Sequence, residues 1–244
     1  MLPMPPPDPV PQSLRAFTHP AYRNVYDPDL LPDGRMLFGT ENMPSHGDWK
    51  AEVLLLAQDC GIVKHLIERI RIRHPCPHGY GESVQTNAKL SSLQRIAPLP
   101  TPVLYGSVVG SLWRRGENKT GAPPAWNEVL PSYCVPMVRW VVTTMTNVRA
   151  IACLGPYSWI GVMSAANRTY RFKKDGFEEH REFRDGEKWI DVDVPSYPPT
   201  AHGSRRVRVF AMWHPGARVS YDLLAMNRAN LSKYIRNGAP AVQR

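Results

Sequence analysis

The chain has 244 residues, 43% of them apolar, and a formal net charge of +9 at pH 7. That length suits one large domain or one domain with an insertion, and the apolar share is enough for a real core. No apolar run approaches the roughly 20 residues of a membrane span, and a basic soluble chain most often meets a polyanion, nucleic acid first.

The charge is uneven. Residues 201–244 carry eight Lys/Arg against one acidic residue, Asp222, whereas the first fifty residues lean slightly acidic. Cys60, Cys76, Cys134 and Cys153 form no close Cys-x-x-Cys pair, so a zinc or disulfide framework is not expected. Cys134 and Cys153 sit among apolar residues and read as buried thiols. The N-terminus has no basic start and no apolar core of the secretory type, so a cytoplasmic protein is expected.

Residues 1–11 hold six prolines and read as an extended arm. Residues 12–35 mix Phe17, Tyr22 and Tyr26 with Asp and Pro, and are expected to wrap the domain with short helical turns. The domain proper is placed at 36–244. Glu41, Asn42 and His46 fall in a polar loop ahead of the first strand.

Four apolar residues, Val53 to Leu56, read as a strand buried on both faces. They run into Gln58, Asp59, Cys60 and Gly61. The period then changes: Ile62, Val63, Leu66, Ile67 and Ile70 recur at helical spacing, which predicts a helix over 62–73 after a sharp turn. Residues 74–82 are loop, and a second helix is expected near 85–96.

A second strand is predicted at 103–109, followed by a basic loop from Trp113 to Pro124. A helix carrying Cys134, Val138, Val141, Val142 and Met145 follows, with Pro131 and Pro136 marking its first turn or a break before it. A third strand covers 148–154, ended by Gly155-Pro156, with a helix over 157–166. Residues 168–194 contain Asp175-Gly176 and Asp185-Gly186, which read as turns of a small inserted antiparallel hairpin or meander. A fourth strand, 207–213, ends in His214-Pro215-Gly216. A last helix spans 221–236, stopped by Gly238. Parallel pairing with right-handed crossovers is the default for such a chain. The expected fold is an α/β/α sandwich on a four-stranded parallel sheet with a small β insertion.

Two chemical groups fall at equivalent places: Asp59 after the first strand and His214 after the fourth. In open α/β sheets, ligands bind at the carboxyl ends of the strands, so the two are candidates to face one ligand.

With these motifs the chain resembles the uracil-DNA glycosylase superfamily. Its members carry Gly-Gln-Asp-Pro-Tyr or Gly-Glu-Ala-Pro-Gly after the first strand and His-Pro-Ser after the last. Here these read Ala57-Gln58-Asp59-Cys60-Gly61 and His214-Pro215-Gly216. Tyr105-Gly106-Ser107-Val108-Val109 and Ala150-Ile151-Ala152-Cys153-Leu154-Gly155 resemble the strands between, so the likeness covers about 50–235. Ala57 and Cys60 replace Gly and Pro, which makes the first motif a hybrid. Ser107 falls where the superfamily often places a base-reading Asn. The N-terminus lacks the cysteines of the iron–sulfur members, so no cluster is expected.

The resemblance implies a monofunctional enzyme that hydrolyses the N-glycosidic bond of uracil in DNA without a cofactor. Asp59 would stabilise the sugar cation and hold the water; His214 would stabilise the leaving base. Gln58, Cys60, Gly61, Tyr80 and Ser107 would line the base pocket, with Tyr80 as a stacking platform for a flipped base. Gly216, Arg218, Arg114, Arg115 and Arg205 would contact the DNA, with Arg218 able to wedge into the stack. DNA containing uracil or abasic sites is the expected partner, a membrane is not, and a monomer is expected. The alternative is a protein of the same fold that binds abasic or damaged DNA with little turnover. A small-substrate α/β hydrolase lacks support, since no Gly-x-Ser-x-Gly elbow or P-loop is present.

Overall fold

The computed structural model describes residues 8–30, 46–58, 61–72, 98–99, 102–116, 121–199, 203–214 and 219–237. The first segment forms a one-turn helix α1 (Gln12–Arg15), a short strand β1 (Tyr22–Asn24) and a 3-10 turn at Pro28–Leu30. Next come β2 (His46–Gly47), β3 (Val53–Ala57), α2 (Val63–Arg71), β4 (Val103–Ser107) and β5 (Leu112–Arg114). The short helix α3 (Trp126–Val129) passes through a π turn at Leu130–Cys134 into α4 (Val135–Thr144). Pro131 lies in the first turn of the π segment and Pro136 in that of α4, where a missing N–H is tolerated. The rest comprises β6 (Ala150–Leu154), α5 (Pro156–Ala165), α6 (Lys173–Asp185), β7 (Trp189–Pro195), β8 (Ser204–Met212) and α7 (Tyr221–Arg236).

The main sheet has the order β2-β4-β3-β6-β8-β7. The four expected strands form its parallel centre, β4-β3-β6-β8. The expectation of four strands is short by two. The two-residue β2 lies antiparallel on β4, and β7 lies antiparallel on β8, so the sheet is mixed. A separate two-stranded pairing joins β1 to β5, where short helical turns were expected over 12–35 and a basic loop from Trp113.

All five residues of β3 are buried, and the strand period of two sends them to opposite faces. Leu54 and Leu56 join an apolar cluster with α4 and α5; Val53, Leu55 and Ala57 join a second with Leu231 and Ile235 of α7. Helices thus cover both faces, which makes the fold an α/β sandwich. Val10, Leu14, Tyr22, Val25 and Leu30 belong to the first cluster, so the described part of the N-terminal segment packs into the domain core.

The inserted hairpin expected at 168–194 is absent; the segment is α6 followed by β7. Neither Asp-Gly pair is a hairpin turn. The Asp175 carboxylate accepts from the Phe172 N–H and caps α6. Gly176 is buried inside the helix, where an added Cβ would lie 2.6 Å from Ile160 Cγ1. It is a close-packing glycine between α5 and α6. Asp185-Gly186 ends the helix and leads into β7.

Candidate functional site

In the order β4-β3-β6-β8, the chain leaves β3 towards one side and β6 towards the other. That reversal opens a crevice at the carboxyl ends of β3 and β6. The residues that border it are Gln58 and Gly61 after β3, Ser107 at the end of β4, Gly155 after β6, and Trp213 and His214 after β8.

Gly155 has φ +107°, a conformation that side chains rarely adopt, and a Cβ there would meet nothing within 4 Å among the described residues. Its N–H donates to the Met212 carbonyl at 3.1 Å, tying the ends of β6 and β8 together. The helix α5 starts immediately after it. Gly61 has φ +109° and its carbonyl accepts from the Arg114 N–H at 3.0 Å. Gly61, just ahead of α2, is therefore braced by β5.

His214 follows β8 by two residues and is half-buried. Trp213, directly before it, is held from two sides. The Trp213 N–H donates to Asn227 Oδ1 of α7 at 3.3 Å. The Arg184 guanidinium at the end of α6 lies 3.4 Å from the Trp213 ring centroid. Asn227 Nδ2 in turn donates to the Arg184 carbonyl at 3.4 Å, which closes the set.

The expected site residues divide into groups. Asp59, Cys60, Tyr80, Gly216 and Arg218 lie outside the described residues. Gln58, Gly61, Ser107 and His214 lie on the one carboxyl edge. Gln58 Nε2 donates to the Gly121 carbonyl at 2.7 Å. Ser107 is 2% exposed, and its hydroxyl has no hydrogen-bond partner among the described residues.

Two of the expected DNA contacts sit elsewhere than a surface contact requires. Arg114 is 2% exposed and donates to the same Gly121 carbonyl at 3.1 Å, bracing the loop after β5. Arg205 is near the start of β8, bonded to the Thr146 carbonyl at the opposite end of the sheet. Seven residues of strand separate it from Met212, about 23 Å. Arg205 and His214 both lie in the basic C-terminal part, and the strand between them sets them apart. Arg115 is exposed, with its Nε on the Tyr22 carbonyl at 2.8 Å.

Three positioning residues were not anticipated: Arg184, Asn227 and His180. His180 is buried on α6 against the backbone of Cys153 and Met212. Burial, helped by the nearby Arg184 charge, pushes its pKa down to about 4, so the imidazole is neutral near pH 7. Its helix is anchored to α5 by Glu179, which accepts from Trp159 Nε1 at 2.9 Å, from Arg168 at 2.7 Å and from the Tyr170 hydroxyl. The signal for this helix was in the sequence: Phe177, His180 and Phe183 recur every third residue.

Cys134 and Cys153 are free and buried, and burial raises both thiols well above the ordinary range. Among the described residues, no group of three His, Cys, Asp or Glu could hold a metal ion. Among the same residues, no helix is long and apolar enough to cross a membrane.

No protein-family model matches the chain, and no curated protein gives a significant match to it.

Proposed function

We propose that the protein is a DNA glycosylase that hydrolyses the bond between uracil and deoxyribose. The observation that carries this reading is the convergence of the Gln58–Gly61 turn and His214 on one carboxyl edge. They flank the end of β6, two strand spacings or about 10 Å apart. That gap suits a planar pyrimidine extruded from the stack and held between groups of opposite duty.

Breaking an N-glycosidic bond builds positive charge on the sugar and negative charge on the departing base. In the proposed reaction Asp59, inside the turn after β3, stabilises the first charge and orients the attacking water. His214 donates a hydrogen bond to the uracil O2 and stabilises the second. The Ser107 hydroxyl, buried and without a protein partner among the described residues, offers a donor and an acceptor to the base edge. The net charge of +9 favours a polyanionic substrate. The chemistry needs no metal or organic cofactor.

The test is excision from uracil-containing oligonucleotides, read by cleavage at the resulting abasic sites. Release of uracil, abolished by Asp59→Asn with DNA binding retained, is the expected result. No release from single- or double-stranded substrate overturns the proposal. Tight binding to abasic DNA without any release assigns the protein to the binding alternative.

A further inference from the structure

The start of α6 carries a surface that the catalytic reading does not use. Phe172 is 52% exposed, large for a phenylalanine with no partner helix over it. Arg171 and Lys174 flank its ring, with their charged groups 5.2 and 5.7 Å from the centroid. Lys173 lies 4.3 Å over the Tyr157 ring and 5.5 Å from that of Phe177. All three cations are exposed, and their heads rest against rings rather than against carboxylates. Of the neighbouring acids, Asp175 caps the helix and Glu179 is bonded to Arg168, while Glu178 is exposed one turn beyond Lys174.

The position of this patch matters. Tyr157 belongs to the first turn of α5, two residues after Gly155, so Lys173 borders the crevice at the carboxyl edge. At the other end of α6, Arg184 sits on Trp213 beside His214. One 13-residue helix, about 20 Å long, therefore runs from the basic aromatic patch to the candidate site.

We infer that Arg171, Phe172, Lys173 and Lys174 form a binding surface for single-stranded nucleic acid running into the crevice. Phe172 stacks an unpaired base, and the three cations contact the phosphates on either side of it. Aromatic faces interleaved with cations are the general solution for holding a strand without reading its sequence. The inference takes from the proposed function the class of partner and the direction of the strand. The binding itself does not depend on turnover.

The experiment measures fluorescence anisotropy of a labelled, uracil-free single-stranded oligonucleotide with the full chain across a salt series. Replacing Arg171, Lys173 and Lys174 together by Ala should flatten the slope of log affinity against log salt by about 2, close to 0.7 for each of three contacts. Phe172→Ala should weaken binding roughly tenfold and leave the slope unchanged, since stacking releases no counterions. An Arg171→Ala, Lys174→Ala pair, which leaves the Tyr157 contact intact, should lower the slope by about 1.4. Unchanged affinity and slope in the folded variants overturn the inference. So does patch-dependent sedimentation with phosphatidylserine vesicles in the absence of patch-dependent DNA binding. Because the probe has no uracil, loss of excision with intact patch-dependent binding would fail the proposed function alone.

Discussion

Arg184 lays its guanidinium 3.4 Å from the ring centroid of Trp213, the residue directly before His214. The helix that delivers Arg184 comes from the segment between the third and fourth parallel strands, far from His214 in sequence. Trp213 is thus held by a cation resting on its indole and by Asn227 on its N–H.

Under the proposed function, Arg184→Ala should lower excision while leaving Asp59 and His214 themselves unchanged. A desolvated cation–π contact contributes about 1–2 kcal/mol, so urea unfolding should report a loss of that order. Arg184→Lys, which keeps the charge above the ring, should recover part of both. Equal kcat for Arg184→Ala and the parent would show that Trp213 does not transmit the contact to His214.

Gly176→Ala tests the packing of α6 on α5. In an exposed helix the exchange gains about 1 kcal/mol. Here the new Cβ meets Ile160 Cγ1 at 2.6 Å, and overpacking costs about 1–3 kcal/mol. A net loss of stability is expected. Combining it with Ile160→Ala should give a smaller loss than the sum of the two single changes, because the truncated side chain makes room.

His180 should make the fold acid-sensitive. Its pKa is about 4 when folded, against an ordinary value of 6.5. Between these values the unfolded chain binds more protons than the folded one, so stability rises with pH across that window and is complete above about 6.5. Lowering the pH from 7 to 4 should remove about 2–3 kcal/mol through this group. The pH dependence of the urea midpoint should flatten in His180→Gln over the same range. A parallel slope in parent and variant would exclude His180 as its source.

Gly155→Ala isolates backbone strain from crowding. Among the described residues nothing lies within 4 Å of the added Cβ, so the effect is ascribed to φ +107°. Such conformations cost side-chain residues about 1–3 kcal/mol. Thermal unfolding should show a loss in that range, and any larger effect on excision would report displacement of the bond from Gly155 to Met212.

The parallel centre of the sheet was legible because β3 and β6 are continuous apolar runs and β8 ends in one, just before Trp213 and His214-Pro215. The helix α7 was legible to its last residue through Leu224, Leu231 and Ile235. The α6 segment was misread because Asp-Gly is a turn signal only when solvent, rather than a facing helix, adjoins the glycine. The short strands β2 and β5 were missed for another reason: two or three residues carry no period. In β7 the alternation Ile190-Asp191-Val192-Asp193-Val194 is a strand signal, and its two aspartates pair with Arg208 and Arg206 across the ladder. Within the site, His214 and the turn after β3 were legible as strand ends. Arg184 and Asn227 were not, because what they do depends on contacts between distant elements.

The strand order has a consequence for how the chain is made. β3 lies in the middle of the parallel ladder, yet both its neighbours are synthesised later. Val53 pairs with Val103 on one side and with Ala150 on the other, 97 residues further along. A nascent chain stopped before residue 150 leaves Leu54 and Leu56 without their β6 flank, and closing so long a loop is slow. During translation the β6 side of this buried strand is an unprotected edge for the time needed to make some hundred residues, the circumstance in which unpaired strands aggregate.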